Sequence, residues 1–135
     1  MKYKILIVMA NYYTDISNNL LLESQLILKD KTKHHVINVP GVFEIPVVIA
    51  KNIKKYDGFV ALGCVIKGET PHFDFISRAT TEAIMNLSIE YKKPIGNGII
   101  TCLNKQQAEA RSNSIDKPGK GTEAANAVLS VLNNF

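Results

Sequence analysis

The sequence predicts an α/β protein in which a four-stranded parallel sheet lies between two layers of helices. Short apolar runs of strand length alternate with longer segments whose apolar residues recur every three or four positions, as in amphipathic helices. The third apolar run, residues 59–66, is almost wholly apolar, which is typical of a strand buried on both faces of a parallel sheet. Strands that alternate with helices in this way form right-handed βαβ units, so the strands should run parallel.

The composition limits the class of protein. With 135 residues, 46% of them hydrophobic, we expect residues 1–135 to form one domain with its own core. No apolar run reaches the roughly 18 residues that a membrane span needs. The apolar start, Ile5 to Met9, is too short for a signal peptide, so we expect a cytoplasmic protein. The net charge of +4 is modest and no basic stripe is interleaved with aromatic residues, which argues against nucleic-acid binding.

The first half of the chain supplies two strands and two helices. Strands are predicted over residues 3–9 and 34–39, and helices over residues 16–28 and 46–55. The apolar residues of the first helix fall on two neighbouring rows, Ile16, Leu20, Ile27 and Leu21, Leu28. His34 and His35 open the second strand, far from its carboxyl end, so we interpret them as structural or exposed. Pro46 suits the first turn of the second helix, where no backbone N–H is needed.

The second half repeats the pattern twice and adds a last helix. Strands are predicted over residues 59–66 and 95–101, and helices over residues 72–91, from 105 past 111, and 122–132. The third helix carries an apolar stripe at Ile76, Ala79, Ala83, Leu87 and Tyr91. The last helix carries one at Ala125, Val128, Leu129 and Leu132. Gly96 and Gly98 flank Asn97 in the fourth strand, which implies a close backbone approach.

A polar loop, residues 67–71, joins the third strand to the third helix, with His72 at the helix start. Ligands of open α/β sheets lie at the carboxyl ends of strands, where helix N-termini favour anions such as phosphate. His72 is therefore either a solvated first-turn residue or a group that moves protons beside an anion, and the pattern alone does not separate the two. Glu44 is likewise either an N-terminal charge or a ligand for hydroxyl groups, and its spacing favours the former.

Three strand-end loops, residues 10–15, 40–46 and 64–72, should converge on one edge of a flavodoxin-like sheet. Neither a P-loop nor a G-x-G-x-x-G fingerprint occurs. Cys64 and Cys102 show no CxxC or metal-ligand spacing, which predicts buried reduced thiols and no metal site. The residues alone thus predict an anion-tolerant site with a histidine.

Five motifs, in order along nearly the whole chain, resemble the 6,7-dimethyl-8-ribityllumazine synthase family, also known as the riboflavin synthase beta chain type. They are Val39-Pro-Gly-Val-Phe-Glu-Ile-Pro46, Ala61-Leu-Gly-Cys-Val-Ile-Lys-Gly-Glu-Thr-Pro-His-Phe-Asp74, Gly98-Ile-Ile-Thr101, Gln107-Ala-Glu-Ala-Arg111 and Lys120-Gly-Thr-Glu-Ala-Ala125. The resemblance implies a transferase of riboflavin biosynthesis. It would condense 5-amino-6-(D-ribitylamino)uracil with 3,4-dihydroxy-2-butanone 4-phosphate, releasing phosphate and water, without metal or organic cofactor.

The resemblance also implies roles for single residues. His72 matches the catalytic histidine that shuttles protons, and Arg111 the arginine that pairs with phosphate, with Glu69 and Thr70 offering backbone N–H groups to the same phosphate. The pyrimidine and its ribityl chain would contact the positions Tyr12, Val42, Phe43, Glu44, Cys64, Val65, Ile66 and Asn97. In this reading Glu44 accepts hydrogen bonds from ribityl hydroxyls, which replaces the helix-dipole interpretation.

The family places its site between neighbouring subunits, which implies a homo-oligomer, a pentamer or two stacked pentamers, and makes riboflavin synthase a candidate partner. The family's Arg-Phe-Asn is Asn11-Tyr12-Tyr13 here, and Asn97 replaces a frequent phenylalanine. These departures support one alternative, a relative that binds lumazine or flavin without turnover; another is a structural assembly protein. His72 and Arg111 favour the enzyme, because a flavin binder has no chemical need of both.

Overall fold

The computed structural model describes residues 2–68, 72–112 and 119–135. Its strands are β1 (Tyr3–Ala10), β2 (Thr32–Val39), β3 (Gly58–Ile66) and β4 (Ile95–Cys102). Its helices are α1 (Thr14–Leu28), α2 (Ile45–Lys51), α3 (Phe73–Tyr91), α4 (Lys105–Ser112) and α5 (Lys120–Asn134), with a short 3-10 turn, Val42–Glu44, before α2. The predicted alternation of strands and helices is confirmed.

The four strands form one sheet in the order β2-β1-β3-β4, and every neighbouring pair is parallel. Every residue of the central strand β3 is buried. This is the pattern expected where helices cover both faces of the sheet, because no face is left for polar side chains. The predicted parallel sheet is therefore confirmed.

The sheet has an apolar core on each side. Alternate residues of a strand point to opposite faces, so Ile5 and Ile7 of β1 join the cluster under α1 and α5, whereas Leu6 and Val8 join the cluster under α2 and α3. The chain is therefore a three-layer α/β/α sandwich, as predicted. The hydroxyl of Tyr3 in β1 donates a 2.9 Å hydrogen bond to the carbonyl of Leu132 in α5, which joins the first strand to the last helix.

The start of α5 differs from the prediction. The helix begins at Lys120, not Thr122, because the Glu23 carboxylate of α1 accepts a 3.0 Å hydrogen bond from the N–H of Gly119 just before the helix. Ser24 of α1 also donates a 2.7 Å hydrogen bond to the carbonyl of Gly121. A Cβ on Gly121 would collide with the Leu20 carbonyl, so the glycine permits the two helices to cross closely. The signal that sets this boundary lies in a distant helix.

The stripe predicted on α3 is only partly the buried one. Ile76 and Leu87 pack against the core, but Ala79 and Tyr91 are exposed in the single chain. The buried positions between them are Thr80 and Ile84. A stripe of apolar residues does not predict the buried Thr80, and the buried face lies one position beyond Ala79 and Ala83.

The close backbone approach predicted at the glycines of β4 is confirmed, and the group that approaches Gly96 belongs to helix α5 of the same chain. A Cβ on Gly96 would collide with the carbonyl of Ala124 in α5. Gly96 is therefore explained by the packing of α5 on the sheet.

Candidate functional site

The carboxyl ends of the four parallel strands lie on one edge of the sheet, and the predicted loops follow them there. The strands end at Ala10, Val39, Ile66 and Cys102. The segments after β1, β2 and β3 hold most of the residues expected to bind a ligand. The predicted convergence of these loops is confirmed by the topology.

Exposed aromatic rings lie at this edge. Tyr12, directly after β1, is 68% exposed, and Phe43, in the turn after β2, is 62% exposed. Its neighbour Val42 is buried in the core and fixes the turn, and the N–H of Glu44 donates a 3.2 Å hydrogen bond to the carbonyl of Gly41. Exposed rings on an anchored backbone are suited to stack on a planar ligand.

Glu44 lies at the N-cap of α2 but its side chain makes no capping hydrogen bond. Glu44 is half-buried at the end of the turn. A capping role would require its oxygens to bond to the first N–H groups of the helix. The geometry thus leaves the carboxylate able to accept hydrogen bonds from another donor.

The side chains at the end of β3 belong to the two apolar cores. Cys64, Val65 and Ile66 are all buried, with side chains that alternate between the two cores. Beyond them, the N–H of Lys67 donates a 2.9 Å hydrogen bond to the carbonyl of Cys102. Gly68 follows with φ of +87°, a backbone conformation that glycine adopts without a steric penalty.

His72 is the N-cap residue of α3, so its predicted place at the helix start is confirmed. The imidazole is exposed and makes no capping hydrogen bond, and its ring lies 6.3 Å from the ring of Phe75. The positive end of the 19-residue helix α3 lies beside it. Glu69 and Thr70 lie outside the described residues, as does Pro71.

Arg111 reaches the end of β4 from the second turn of α4. Its Nη1 donates to the carbonyl of Thr101 at 2.9 Å and to Sγ of Cys102 at 3.7 Å. The N–H of Gln107 donates to Asn104 Oδ1 at 2.9 Å, which starts the helix and turns the chain back toward the sheet. The sequence analysis predicted neither contact of Arg111 with the end of β4, although the Asn104/Gln107 spacing is the signal of a helix start there.

Burial raises the pKa of the Cys102 thiol, an effect that the positive charge of Arg111 opposes. Both cysteines are buried and neither forms a disulfide. The prediction of buried reduced thiols is confirmed.

Asn97 is not brought to this edge within one chain. It pairs with Ala61 near the start of β4, about 16 Å along the strand from Cys102. Its Oδ1 accepts a 3.1 Å hydrogen bond from the N–H of Ile99. Asn97 is exposed on the outer strand of the sheet, so its predicted contact with a ligand would require a neighbouring subunit.

His34 and His35 lie away from the edge, as predicted, paired with the early residues Ile5 and Leu6 of β1. The His34 ring is 3.4 Å from the amide nitrogen of Gln25, and burial lowers its pKa, with a further contribution from the neighbouring His35. These histidines are part of the scaffold.

A small cavity of about 100 Å³ opens at the same edge, between the starts of α1 and α4. It is lined by Tyr13, Thr14, Asp15, Ile16 and Lys105. Ligand pockets usually measure about 300–1,000 Å³, so this cavity alone does not hold a substrate-sized molecule. Across the described ranges, no group of three or more His, Cys, Asp or Glu side chains is placed to bind a metal, and no helix is long and apolar enough to cross a membrane.

Comparison with known proteins gives one consistent result. A family model described as 6,7-dimethyl-8-ribityllumazine synthase matches residues 2–135. A protein of Agrobacterium fabrum with that name is 43% identical, over 97% of this chain and 93% of its own length. A protein of Rhodopseudomonas palustris named 6,7-dimethyl-8-ribityllumazine synthase 1 is 44% identical, over 96% of this chain and 83% of its own length. A Bartonella bacilliformis protein with the family's name is 43% identical, over 95% and 87%.

Proposed function

The chain belongs to the 6,7-dimethyl-8-ribityllumazine synthase family, and from this we propose that it condenses 5-amino-6-(D-ribitylamino)uracil with 3,4-dihydroxy-2-butanone 4-phosphate. The products are 6,7-dimethyl-8-ribityllumazine, phosphate and water, in the step before the last of riboflavin biosynthesis. The observation that carries the proposal is the family match over nearly the whole chain, together with a histidine at the N-cap of α3. No cofactor or metal enters the proposed reaction.

In this proposal His72 moves protons. The amine of the pyrimidine attacks the ketone to form an imine and release water, and phosphate then leaves. Attack by the ribityl-bearing amine on the remaining carbonyl closes the ring and releases a second water. Each step needs a proton added or removed near neutral pH, which imidazole does well. An exposed imidazole that makes no capping hydrogen bond supports this role.

The phosphate would lie near the N-terminus of α3. We propose that Arg111 pairs with it, because a planar guanidinium with several N–H donors suits a phosphate. The backbone N–H groups of Glu69 and Thr70 would complete its binding. The positive end of the helix dipole supports the same position.

The pyrimidine and ribityl chain would lie across the carboxyl edge. Tyr12 would stack on the ring, Glu44 would accept hydrogen bonds from ribityl hydroxyls, and other contacts would come from the positions Val42, Phe43, Cys64, Val65, Ile66 and Asn97. The exposure of the Tyr12 and Phe43 rings supports this arrangement, since exposed rings at the carboxyl edge are able to stack on a planar ligand.

We propose that the enzyme is a homo-oligomer, a pentamer or two stacked pentamers, with Asn97 and Arg111 contributed to a neighbour's site. The α2/α3 side exposes large apolar residues, which supports burial against another copy: Val47, Phe75, Met85 and Ile89. We further propose a single domain over residues 1–135 and a cytoplasmic location, with riboflavin synthase as a candidate partner and neither nucleic acid nor membrane bound.

Lumazine formation from the two substrates tests the proposal. The purified protein should produce lumazine absorbance faster than a blank without protein, and the blank is essential because the reaction can proceed unaided. A rate equal to the blank, with lumazines still bound, would show a binding protein and overturn the proposed enzyme.

A further inference from the structure

The end of β4, which Arg111 contacts, is buried and hydrogen-bonded to the segment after β3. Cys102 is 2% exposed, and its carbonyl accepts the 2.9 Å hydrogen bond from the N–H of Lys67, which ties the last residue of β4 to the segment after β3. Its thiol faces the core that lies under α1 and α5. A side-chain atom at this position has little freedom to move.

We propose that Cys102 is a positioning residue for Arg111, whose guanidinium it orients toward the phosphate of the substrate. The inference rests on the proposed function, in which Arg111 binds that phosphate. It assigns to Cys102 no contact with the substrate itself.

The geometry gives the reason. Nη1 of Arg111 makes two contacts, with the Thr101 carbonyl and with the Cys102 sulfur. One acceptor alone would let the planar group turn about a single hydrogen bond, whereas two acceptors on the same nitrogen fix its plane. The donors on Nη2 and Nε are then held in a set direction, which is what a phosphate needs for paired hydrogen bonds.

A neutral thiol is well suited to this task. A carboxylate in the same place would form an ion pair with Arg111 and compete with the phosphate, whereas a thiol is a weak acceptor that leaves the positive charge available. Burial raises the pKa of the Cys102 thiol, which is consistent with a neutral sulfur here.

The neighbouring thiol does not convert this contact into a disulfide. The Cys64 and Cys102 side chains are close enough for a hydrogen bond, but Cys64 pairs with Ile100 and Cys102 pairs with Ile66, so the two cysteines are two residues out of register. That offset places their Cα atoms about 8 Å apart, beyond the spacing that a disulfide spans without backbone movement.

The test compares Cys102→Ala with Cys102→Ser in the assembled, full-length protein. Calorimetry with inorganic phosphate gives a dissociation constant that does not depend on turnover, and kinetics give KM for the phosphate substrate and kcat separately. We expect Cys102→Ala to weaken phosphate binding and raise this KM by roughly three- to tenfold, with kcat changed less than about twofold. Cys102→Ser keeps an acceptor, but its shorter C–O bond places that acceptor farther from Nη1 than the 3.7 Å of the sulfur, so the variant should recover only part of the loss.

Two controls separate positioning from simple destabilisation. Ile100→Val trims a buried side chain on the same strand and face and should leave both phosphate constants unchanged. In an Arg111→Ala background, Cys102→Ala should have no further effect, because the residue that it positions is gone. Thermal unfolding of each variant confirms that it is folded.

Equal phosphate affinity in the wild type and Cys102→Ala would overturn the inference. So would a Cys102→Ala effect on phosphate affinity that is as large in the Arg111→Ala background as in the wild type. If Cys102→Ala weakens phosphate binding through Arg111 but the wild type forms no lumazine, the positioning role stands and the proposed enzyme fails. If lumazine forms normally and Cys102→Ala behaves as the wild type, the enzyme stands and the positioning role fails.

Discussion

The Glu23 carboxylate of α1 accepts a 3.0 Å hydrogen bond from the N–H of Gly119, immediately before α5. Helix α1 thus supplies the acceptor at the N-terminus of α5, where the N-cap residue, Gly119, has no side chain. Burial raises the pKa of Glu23 above its usual 4.5, and the N–H groups of Gly119 and Gly121 oppose this rise. The carboxyl group therefore ties stability to pH.

Glu23→Gln should flatten the dependence of stability on pH. Because the folded-state pKa is raised, the folded protein holds this proton more tightly than the unfolded chain does. The stabilisation is complete below the unfolded pKa and is lost as pH rises through the folded pKa. Glutamine still accepts the hydrogen bond from Gly119 but does not titrate. As pH rises, the wild type should therefore lose free energy of unfolding relative to Glu23→Gln. The change should be less than about 1 kcal/mol, because solvent screens this partly exposed group.

Denaturant unfolding at fixed protein concentration between about pH 4 and pH 7 measures this effect. Glu109→Gln, an exposed site on α4, makes the same charge change and should not alter the slope in the same way. If the free energy of unfolding varied with pH in the same way for Glu23→Gln and the wild type, the titration of Glu23 would not be linked to stability.

His72→Ala should slow lumazine formation without abolishing it. Proton transfer by a placed group contributes about 10²–10⁴-fold, whereas holding the two substrates together remains possible without the imidazole. The measurement is kcat by lumazine absorbance, with binding of a product lumazine measured alongside. His35→Ala, which removes an exposed histidine of the scaffold, is the matched control. An unchanged kcat, or complete loss with ligand still bound, would refute the assigned role.

Arg111→Ala should raise KM for the phosphate substrate by about 10- to 100-fold, since it removes charge-assisted hydrogen bonds to a phosphate. Arg111→Lys restores the charge but not the planar fork, so it should recover only part of the loss. Lys29→Ala removes one positive charge from an exposed position just after α1 and controls for net charge. Equal KM values in Arg111→Ala and Arg111→Lys would show that charge contributes nothing there, contrary to this account.

Ile89→Lys should dissociate the oligomer. Ile89 is 66% exposed on α3 in the single chain, and a lysine buried between copies would lose its hydration without a partner. Leu26→Lys, at an equally exposed leucine on α1, should leave the assembly intact. Light scattering after size-exclusion chromatography gives the mass of each. The α2/α3 interface would be wrong if Leu26→Lys dissociated the protein and Ile89→Lys did not.

The sequence predicted the fold well where local signals suffice, as at β3, whose continuous apolar run allows little but a buried parallel strand. It failed where the cause is distant. The start of α5 depends on Glu23 in another helix, and the buried face of α3 includes Thr80, which an apolar pattern overlooks. At the site, His72 and the loops were placed correctly by strand order. The contact between Arg111 and Cys102 could not be placed, because it depends on how α4 returns over β4.

The bond between Tyr3 and Leu132 has a consequence for protein synthesis. The α1 side of the sheet is closed by α5, which packs against α1 and β4. On a nascent chain, Ile5, Ile7 and Leu20 therefore remain without their full cover until residues 120–134 have left the ribosome. The first strand to be translated is therefore among the last to be buried. A ribosome that stalls within α5 would leave this apolar surface exposed to chaperones and proteases.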